Sequence, residues 1–320
     1  MTPAPSLPPA RTVATPSVLL GGQRAEVLES LLVPGEIGVY VVTFKVPAIE
    51  DGVRDLTLSI GAKVAAWRPV GVGRSLSHYL ENADRDIGAP ESLIGAVSCG
   101  GNLAPFPYTA IDPRNPPNTL AGASVRIKDS AGVARPAAIL AVGEQDLQYV
   151  IPPGTANGNA EVSVTTSDGS IFTGRLDIQT VVPTIFSLPY TVDDSKRPPA
   201  GIVVRLRDGK QTIEPIATLG DDCWFGCLVP VDLGPETDQV FLVLFGTGFR
   251  NRSSVANVST RIGGVITPVD YAGPQSEFGG VDQVNVRLPR SLAGRGVVPV
   301  EVIVDGNVAR INQTYVVEFK

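Results

Sequence analysis

One supersecondary pattern occurs three times along the chain, and it limits the fold more than any other feature. Residues 17 to 62 run Ser-Val-Leu-Leu-Gly-Gly-Gln-Arg-Ala-Glu-Val-Leu, then Val-Pro-Gly-Glu-Ile-Gly-Val-Tyr-Val-Val-Thr-Phe-Lys-Val-Pro, then a short strand from Asp55 to Ile60. Residues 259 to 305 follow the same plan. They run Ser-Thr-Arg-Ile-Gly-Gly-Val-Ile-Thr-Pro-Val-Asp, then Phe-Gly-Gly-Val-Asp-Gln-Val-Asn-Val-Arg-Leu-Pro, then Val297 to Val304. A looser copy lies between them: Val133 to Leu140, Gln-Asp-Leu-Gln-Tyr-Val-Ile-Pro-Pro from Gln145, and Ala160 to Thr165. Each copy is a turn, a strand, a second strand ending in proline (Pro47, Pro152, Pro289), a polar turn and a last strand. Proline donates nothing to a ladder, so it ends a strand at an edge or turn. Recurrence of one unit that cannot bury its own apolar face means repeated modules rather than one large domain.

The period within the copies is that of strands. Val284, Val286 and Leu288 alternate with Gln283, Asn285 and Arg287, as in a strand with one face in a core and one in water. Upstream, Val240 to Phe245 is an unbroken run of large β-formers, suited to a strand buried in a sandwich core. Gly246 and Gly248 then break it, allowing the positive φ of a bend or bulge. Composition agrees: 34 Gly and 28 Pro punctuate a chain that is 43% hydrophobic, which favours many short strands over long helices or disorder. The expected class is all-β, in tandem sandwich modules.

The boundaries follow from these runs. Residues 1–16 form a Pro-rich arm or linker, 17–74 a partial N-terminal module, 75–89 a linker, 90–185 a module, and 186–320 the C-terminal module. Within the linker, Arg74 to Ala89 has few β-formers and a serine at 75 or 77 placed to cap, so a short helix is expected. Its His78, the only histidine, is expected at the surface.

The Phe-Gly-Thr-Gly-Phe bend at 245–249, the Ile-Gly-Gly turn at 262–264 and the Val-Asp-Gln-Val-Asn-Val-Arg-Leu-Pro strand at 281–289 resemble an IPT/TIG-type immunoglobulin-like repeat. More specifically, they resemble the uncharacterised C-terminal domain of large secreted acidobacterial proteins. Pro183-Thr-Ile-Phe186 is similar to that family's junction between paired repeats, and Asn102-Leu-Ala with Leu120-Ala-Gly to its first-repeat opening. The resemblance covers about residues 90 to 320 and carries no catalytic signature. It implies an extracellular Ig-like β-sandwich, usually the tail of something larger. The N-terminal copy departs from the pattern: nothing before it matches the Phe-Gly-Thr-Gly-Phe strand. Half a sandwich leaves open edges and an uncovered face. Three readings stand: a fragment of a longer protein, an abbreviated domain packed on its neighbour, or a module completed by a strand from another copy.

Chemistry is constrained mainly by what is missing. His78 would have to serve any Ser-His-Asp or Cys-His site, and no nucleophile motif, phosphate loop or zinc-protease motif accompanies it. Asp221-Asp222 and Asp84-Arg-Asp86 are carboxylate pairs in name only, with solvated turn acids as the default reading. The chain is expected to have no catalytic residues and not to be an enzyme. A net charge of −6 with scattered basic residues excludes a nucleic-acid face, Arg250 with Arg252 being too little. No run reaches the roughly 18 apolar residues of a membrane helix. The N-terminus also lacks the apolar core of a signal peptide, so either the chain is cytosolic or it is a fragment whose leader lies upstream, and the repeats favour the fragment.

Binding candidates are few. Calcium at module junctions uses clustered aspartates, and Asp193, Asp194, Asp221 and Asp222 are the weak candidates; no other cofactor is expected. Trp224 and Phe225 beside Asp221-Asp222 offer a glycan platform, because a flat ring matches the apolar face of a pyranose; Phe106 with Tyr108 offers another. Cys223 and Cys227 either close a local disulfide across Gly226 or remain thiols in an apolar loop. Cys99 is expected to be a small buried residue. The expected partners are other copies of the chain or neighbouring surface proteins through edge strands, with polysaccharide as the alternative. The functional expectation is an extracellular structural or adhesion protein, assembling into a filament or surface layer, against a carbohydrate-binding accessory module.

Overall fold

The computed structural model describes residues 10–33, 39–65, 68–80, 84–188, 196–220, 223–309 and 314–320. Their regular elements are all strands, apart from two single-turn 3-10 helices at Val255–Asn257 and Arg290–Leu292. The protein is all-β, its strands arranged in layered sheets. No helix among the described residues is long and apolar enough to cross a membrane. The chain divides into two compact units, residues 1–76 with 99–101, and residues 77–98 with 102–320.

The register of the ladders makes the three copies superimpose residue by residue. In each, a first strand carries Val18, Val125 or Thr260 opposite Ala25, Ala137 or Thr267 on the second strand. On its other side the same residue faces Leu58, Val164 or Val302 of the last strand. Two residues beyond Ala25, Ala137 and Thr267, the second strand leaves its first partner and pairs with a third strand, as Val27 opposite Phe44, Ile139 opposite Tyr149 and Val269 opposite Val286. Immediately afterwards each second strand bulges, at Val27/Glu29, Ile139/Ala141 and Val269/Tyr271. A bulge adds one residue and turns the strand, which lets one strand serve both layers. The proline that ends the third strand follows Phe44, Tyr149 and Val286 at the same offset of three: Pro47, Pro152 and Pro289.

The Gly-Gly turns place glycine where the backbone is left-handed. Gly21 and Gly22 have φ of 59° and 77°, and Gly263 and Gly264 have 55° and 79°. Two consecutive positive φ values are the mark of a two-residue type I′ hairpin, whose twist matches that of strands.

The copies differ in what surrounds them. The middle copy sits in a closed ring. Its strands Ala123–Lys128, Ala134–Val142 and Asp146–Val150 continue through Leu93–Cys99, Ser75–Leu80, Ile171–Ile178 and Gly158–Thr165 back to Ala123–Lys128. Closure removes sheet edges, and Ile127, Ile139, Leu147, Tyr149, Val162 and Val164 are fully buried inside. The C-terminal copy belongs to an open sandwich. One layer runs Lys210–Pro215, Gly201–Arg207, Gln239–Thr247, Asp282–Arg287, Val269–Pro274; the other runs Lys196–Arg197, Thr314–Phe319, Gly296–Val304, Val258–Ile262, Val265–Thr267. Val240, Leu242 and Leu244 meet Val300, Val302 and Val317 in a common core.

The expected helix over Arg74 to Ala89 is not formed. Ser75–Leu80 is a ring strand, followed by short strands at Asp84–Arg85 and Ile87–Gly88. Leu76 and His78, two apart, are both fully buried, so the period is 2 and not that of a helix. His78 is therefore not a surface residue. Cys99 is corrected in the other direction, being an exposed free thiol.

Candidate functional site

Among the described residues, the N-terminal copy lacks one strand that the other two copies have. In the middle copy the third strand, Asp146–Val150, is flanked by Leu93–Cys99, with Ile94 opposite Tyr149. In the C-terminal copy the equivalent strand, Asp282–Arg287, is flanked by Gln239–Thr247, with Leu242 opposite Val286. The third strand of the N-terminal copy, Tyr40–Lys45, pairs with Gln23–Leu32 on one side and, among the described residues, with nothing on the other. Its side chains report the same vacancy. Tyr40 is 54% exposed and Val41 50% exposed, with Val39 and Val46 open at either end. Phe44 is only half-buried, whereas Tyr149 and Val286 at its position are 0% exposed.

Exposed apolar strands with free main-chain groups are interaction surfaces by default, and proteins usually blunt them with charge or proline. From Val39 to Val46 the one charged residue is Lys45, and proline enters only at Pro47. The edge is therefore unprotected along six residues.

The buried charges elsewhere are structural. Arg205 Nε donates to Glu214 Oε1 at 2.6 Å and its Nη1 to Asp238 Oδ2 at 2.9 Å, while Arg207 Nη2 reaches the same oxygen at 2.6 Å. The Arg207 and then the Arg205 guanidinium hold the Asp238 carboxyl down at about 2. Arg290 donates to the carbonyls of Gly234 at 2.7 Å and Asp238 at 2.6 Å, so these arginines tie the 232–238 loop to the sandwich. Asp282 is fully buried. Its Oδ2 accepts from the amides of Phe249 (2.9 Å) and Arg250 (3.1 Å), and its Oδ1 from Arg250 Nε at 2.7 Å. Burial pushes this carboxyl up while Arg250 pulls it down. Asp282 thus closes the Gly246–Gly248 bend from the neighbouring strand. The alternating Arg205 and Arg207, on one face of one strand, were the available sequence signal for the first network; scattered charge concealed it.

His78 is a core residue of the ring. Its Nδ1 lies 3.1 Å from the Arg175 carbonyl and 3.3 Å from Asp86 Oδ1, and the ring meets Tyr149 edge-on at 6.0 Å. Among the described residues, neither His78 Nε2 nor the Tyr149 hydroxyl finds a hydrogen-bond partner, and burial, then Asp86, raises the Tyr149 phenol.

Of the residues singled out from sequence, Asp193, Asp194, Asp221 and Asp222 lie outside the described residues, as do the side chains of Cys223, Trp224 and Phe225. The backbone of Cys223–Leu228 forms a hairpin strand against Ala217–Gly220, and Cys227 is disulfide-bonded. No group of three or more potential metal ligands occurs among the described residues. Phe106 is 66% exposed and Tyr108 40% exposed.

No protein-family model matches the chain, and no curated protein is similar to it. Among solved structures, the Bacteroides ovatus mixed-linkage glucan utilization locus protein SGBP-B, in complex with a mixed-linkage heptasaccharide, is similar at 10% identity and a TM-score of 0.39, over 100% of this chain and 69% of that one. The titin Ig tandem domains A164-A165 are similar at 9% identity and a TM-score of 0.22, over 77% of this chain and 98% of that one.

Proposed function

We propose that the protein is a non-enzymatic structural or adhesion module of the cell surface or extracellular space. In this reading the closed and open sandwiches are rigid spacers, and the incomplete N-terminal copy is the joint through which copies assemble. The observation that carries it is the bare edge Tyr40–Lys45, where both other copies have a partner strand. The disulfide at Cys227 supports an oxidising compartment. Kinship with IPT/TIG repeats belongs to the same proposal and rests on the bend and turn motifs.

The test is solution mass by light scattering across a dilution series, with Val41→Lys as the variant. Val41 is half exposed, so a lysine there changes stability by about 0.5 kcal/mol or less while charging the edge. The expected result is a concentration-dependent oligomer that Val41→Lys reduces to monomer. A monomer at every concentration would contradict it.

The second reading is a carbohydrate-binding accessory module, favoured by the exposure of Phe106 and Tyr108. Loss of polysaccharide retention in Phe106→Ala or Trp224→Ala, with solution mass unchanged, would select it.

A further inference from the structure

Resting on the assembly reading above, we infer that the bare edge is filled by its own counterpart: Tyr40–Lys45 of one chain pairs antiparallel with Tyr40–Lys45 of a second copy about a two-fold axis at Val42.

The other two copies define what the edge accepts. Both flanking strands run antiparallel to the third strand. Both set apolar residues against the core-facing positions: Ile94 against Tyr149 and Ala96 against Leu147, and Leu242 against Val286 and Leu244 against Val284. By the shared register, these core-facing positions in the N-terminal copy are Phe44 and Val42, the two residues of the segment that are half-buried rather than exposed. Tyr40 follows two residues earlier on the same face. An occupant must therefore be an antiparallel strand with large apolar residues at alternate positions. Tyr40, Val42 and Phe44 meet that specification themselves.

Symmetry then restricts the axis to pass through a residue, and within Tyr40–Lys45 only the axis at Val42 pairs all three core-facing side chains. Two sheets joined edge to edge by a two-fold keep their core faces on the same side, so core-facing residues must oppose core-facing residues. Centring the axis on Val42 sets Val42 against Val42 of the partner subunit, and Tyr40 against the partner's Phe44. That joins an apolar stripe of three side chains from each chain, with an aromatic cross-strand pair on either side of the axis. Shifting by one residue would oppose core-facing to outward-facing side chains. Charge is compatible as well. Lys45 of each chain falls opposite Val39 of the other, leaving the two ammonium groups about 20 Å apart at about 3.4 Å per residue, well beyond a Debye length of about 8 Å. Six residues a side bury less than the roughly 800 Å² per partner of a standard interface, so the dimer is weak and concentration-dependent.

Disulfide trapping tests the register. In a Cys99→Ser background, which removes the exposed thiol, Val42→Cys and Lys45→Cys chains are oxidised gently and covalent dimer is followed with time. Val42→Cys is expected to cross-link at least tenfold faster than Lys45→Cys. Tyr40→Cys and Phe44→Cys, which leave Val42 intact in case its replacement disturbs the strand, are expected to cross-link when mixed and not separately. Equal or faster trapping at Lys45→Cys would overturn the inference. If no cysteine traps but Val41→Lys still dissociates an oligomer, the two-fold pairing fails and the assembly reading survives. If the wild-type chain stays monomeric throughout, both fail. A monomer whose Tyr40–Lys45 amides resist exchange would mean that the chain covers its own edge, which also overturns it.

Discussion

The N-terminal and middle copies share one register and end in different states. Val27, Phe44 and Leu58 of the first correspond to Ile139, Tyr149 and Val164 of the second. The first three are half-buried and the second three fully buried. The residues in the N-terminal copy are no less apolar. What differs is the strand beside the third strand, supplied by Leu93–Cys99 in the ring and absent from the described part of the N-terminal copy. Burial in a sandwich is thus a property of the closed layer, and a core-quality sequence at an open edge becomes an interaction surface.

The comparison breaks most easily at the paired aromatic positions. Tyr149→Ala empties a fully buried site and is expected to cost about 3–5 kcal/mol. Phe44→Ala, at the equivalent half-open site, should cost no more than about 2 kcal/mol. Urea unfolding of the two variants measures both, and equal losses would mean that the N-terminal copy is closed in solution.

Glycines offer a second contrast. Gly248 has φ +80°, a Cβ there would lie 2.1 Å from the Val182 carbonyl oxygen, and its own carbonyl accepts from the Val182 amide at 2.8 Å. Gly22 has φ +77° in open space. Gly248→Ala is expected to cost about 3 kcal/mol through backbone displacement, and Gly22→Ala about 1 kcal/mol from the left-handed conformation alone. Thermal melts separate them.

Acid gives the smallest effect and acts on the sandwich that is complete. The Asp238 carboxyl stands at about 2 against an ordinary 3.8. A depressed carboxylate contributes stability that is present above its unfolded value and is lost as pH falls through the folded one. The C-terminal sandwich should therefore weaken between about pH 4 and 2, an effect reduced but not abolished in Asp238→Asn, because Arg205 also holds Glu214 down and the Gly234 amide Asp232. Unfolding midpoints at pH 6 and pH 3 check it.

Much of this was readable from the chain. The three copies, their terminal prolines and the Gly-Gly turns are visible because strand alternation and tight turns demand particular residues at fixed offsets. The Val240–Phe245 run lies where its composition put it, with Leu242 and Leu244 in the core. The strand at Ser75–Leu80 was hidden because a histidine occupies an inward position: Leu76 and His78 keep a period of 2, but only if His78 is counted with the core. Asp282 and Asp238 were also hidden. Their arginine partners lie 32 residues away in one case and 33 and 31 in the other, and local patterning carries no record of pairing at such separations. The bare edge was half legible. The missing flanking strand could be named from sequence, whereas the strand it leaves exposed required the ladder register.

Amide hydrogen exchange across the three equivalent strands tests the central claim most directly, with the intact chain at two concentrations a hundredfold apart. The account predicts that Asp146–Val150 and Asp282–Arg287 are protected at both, while Tyr40–Lys45 exchanges freely when dilute and gains protection when concentrated. Protection of Tyr40–Lys45 equal to that of the other two strands at the lower concentration would contradict it.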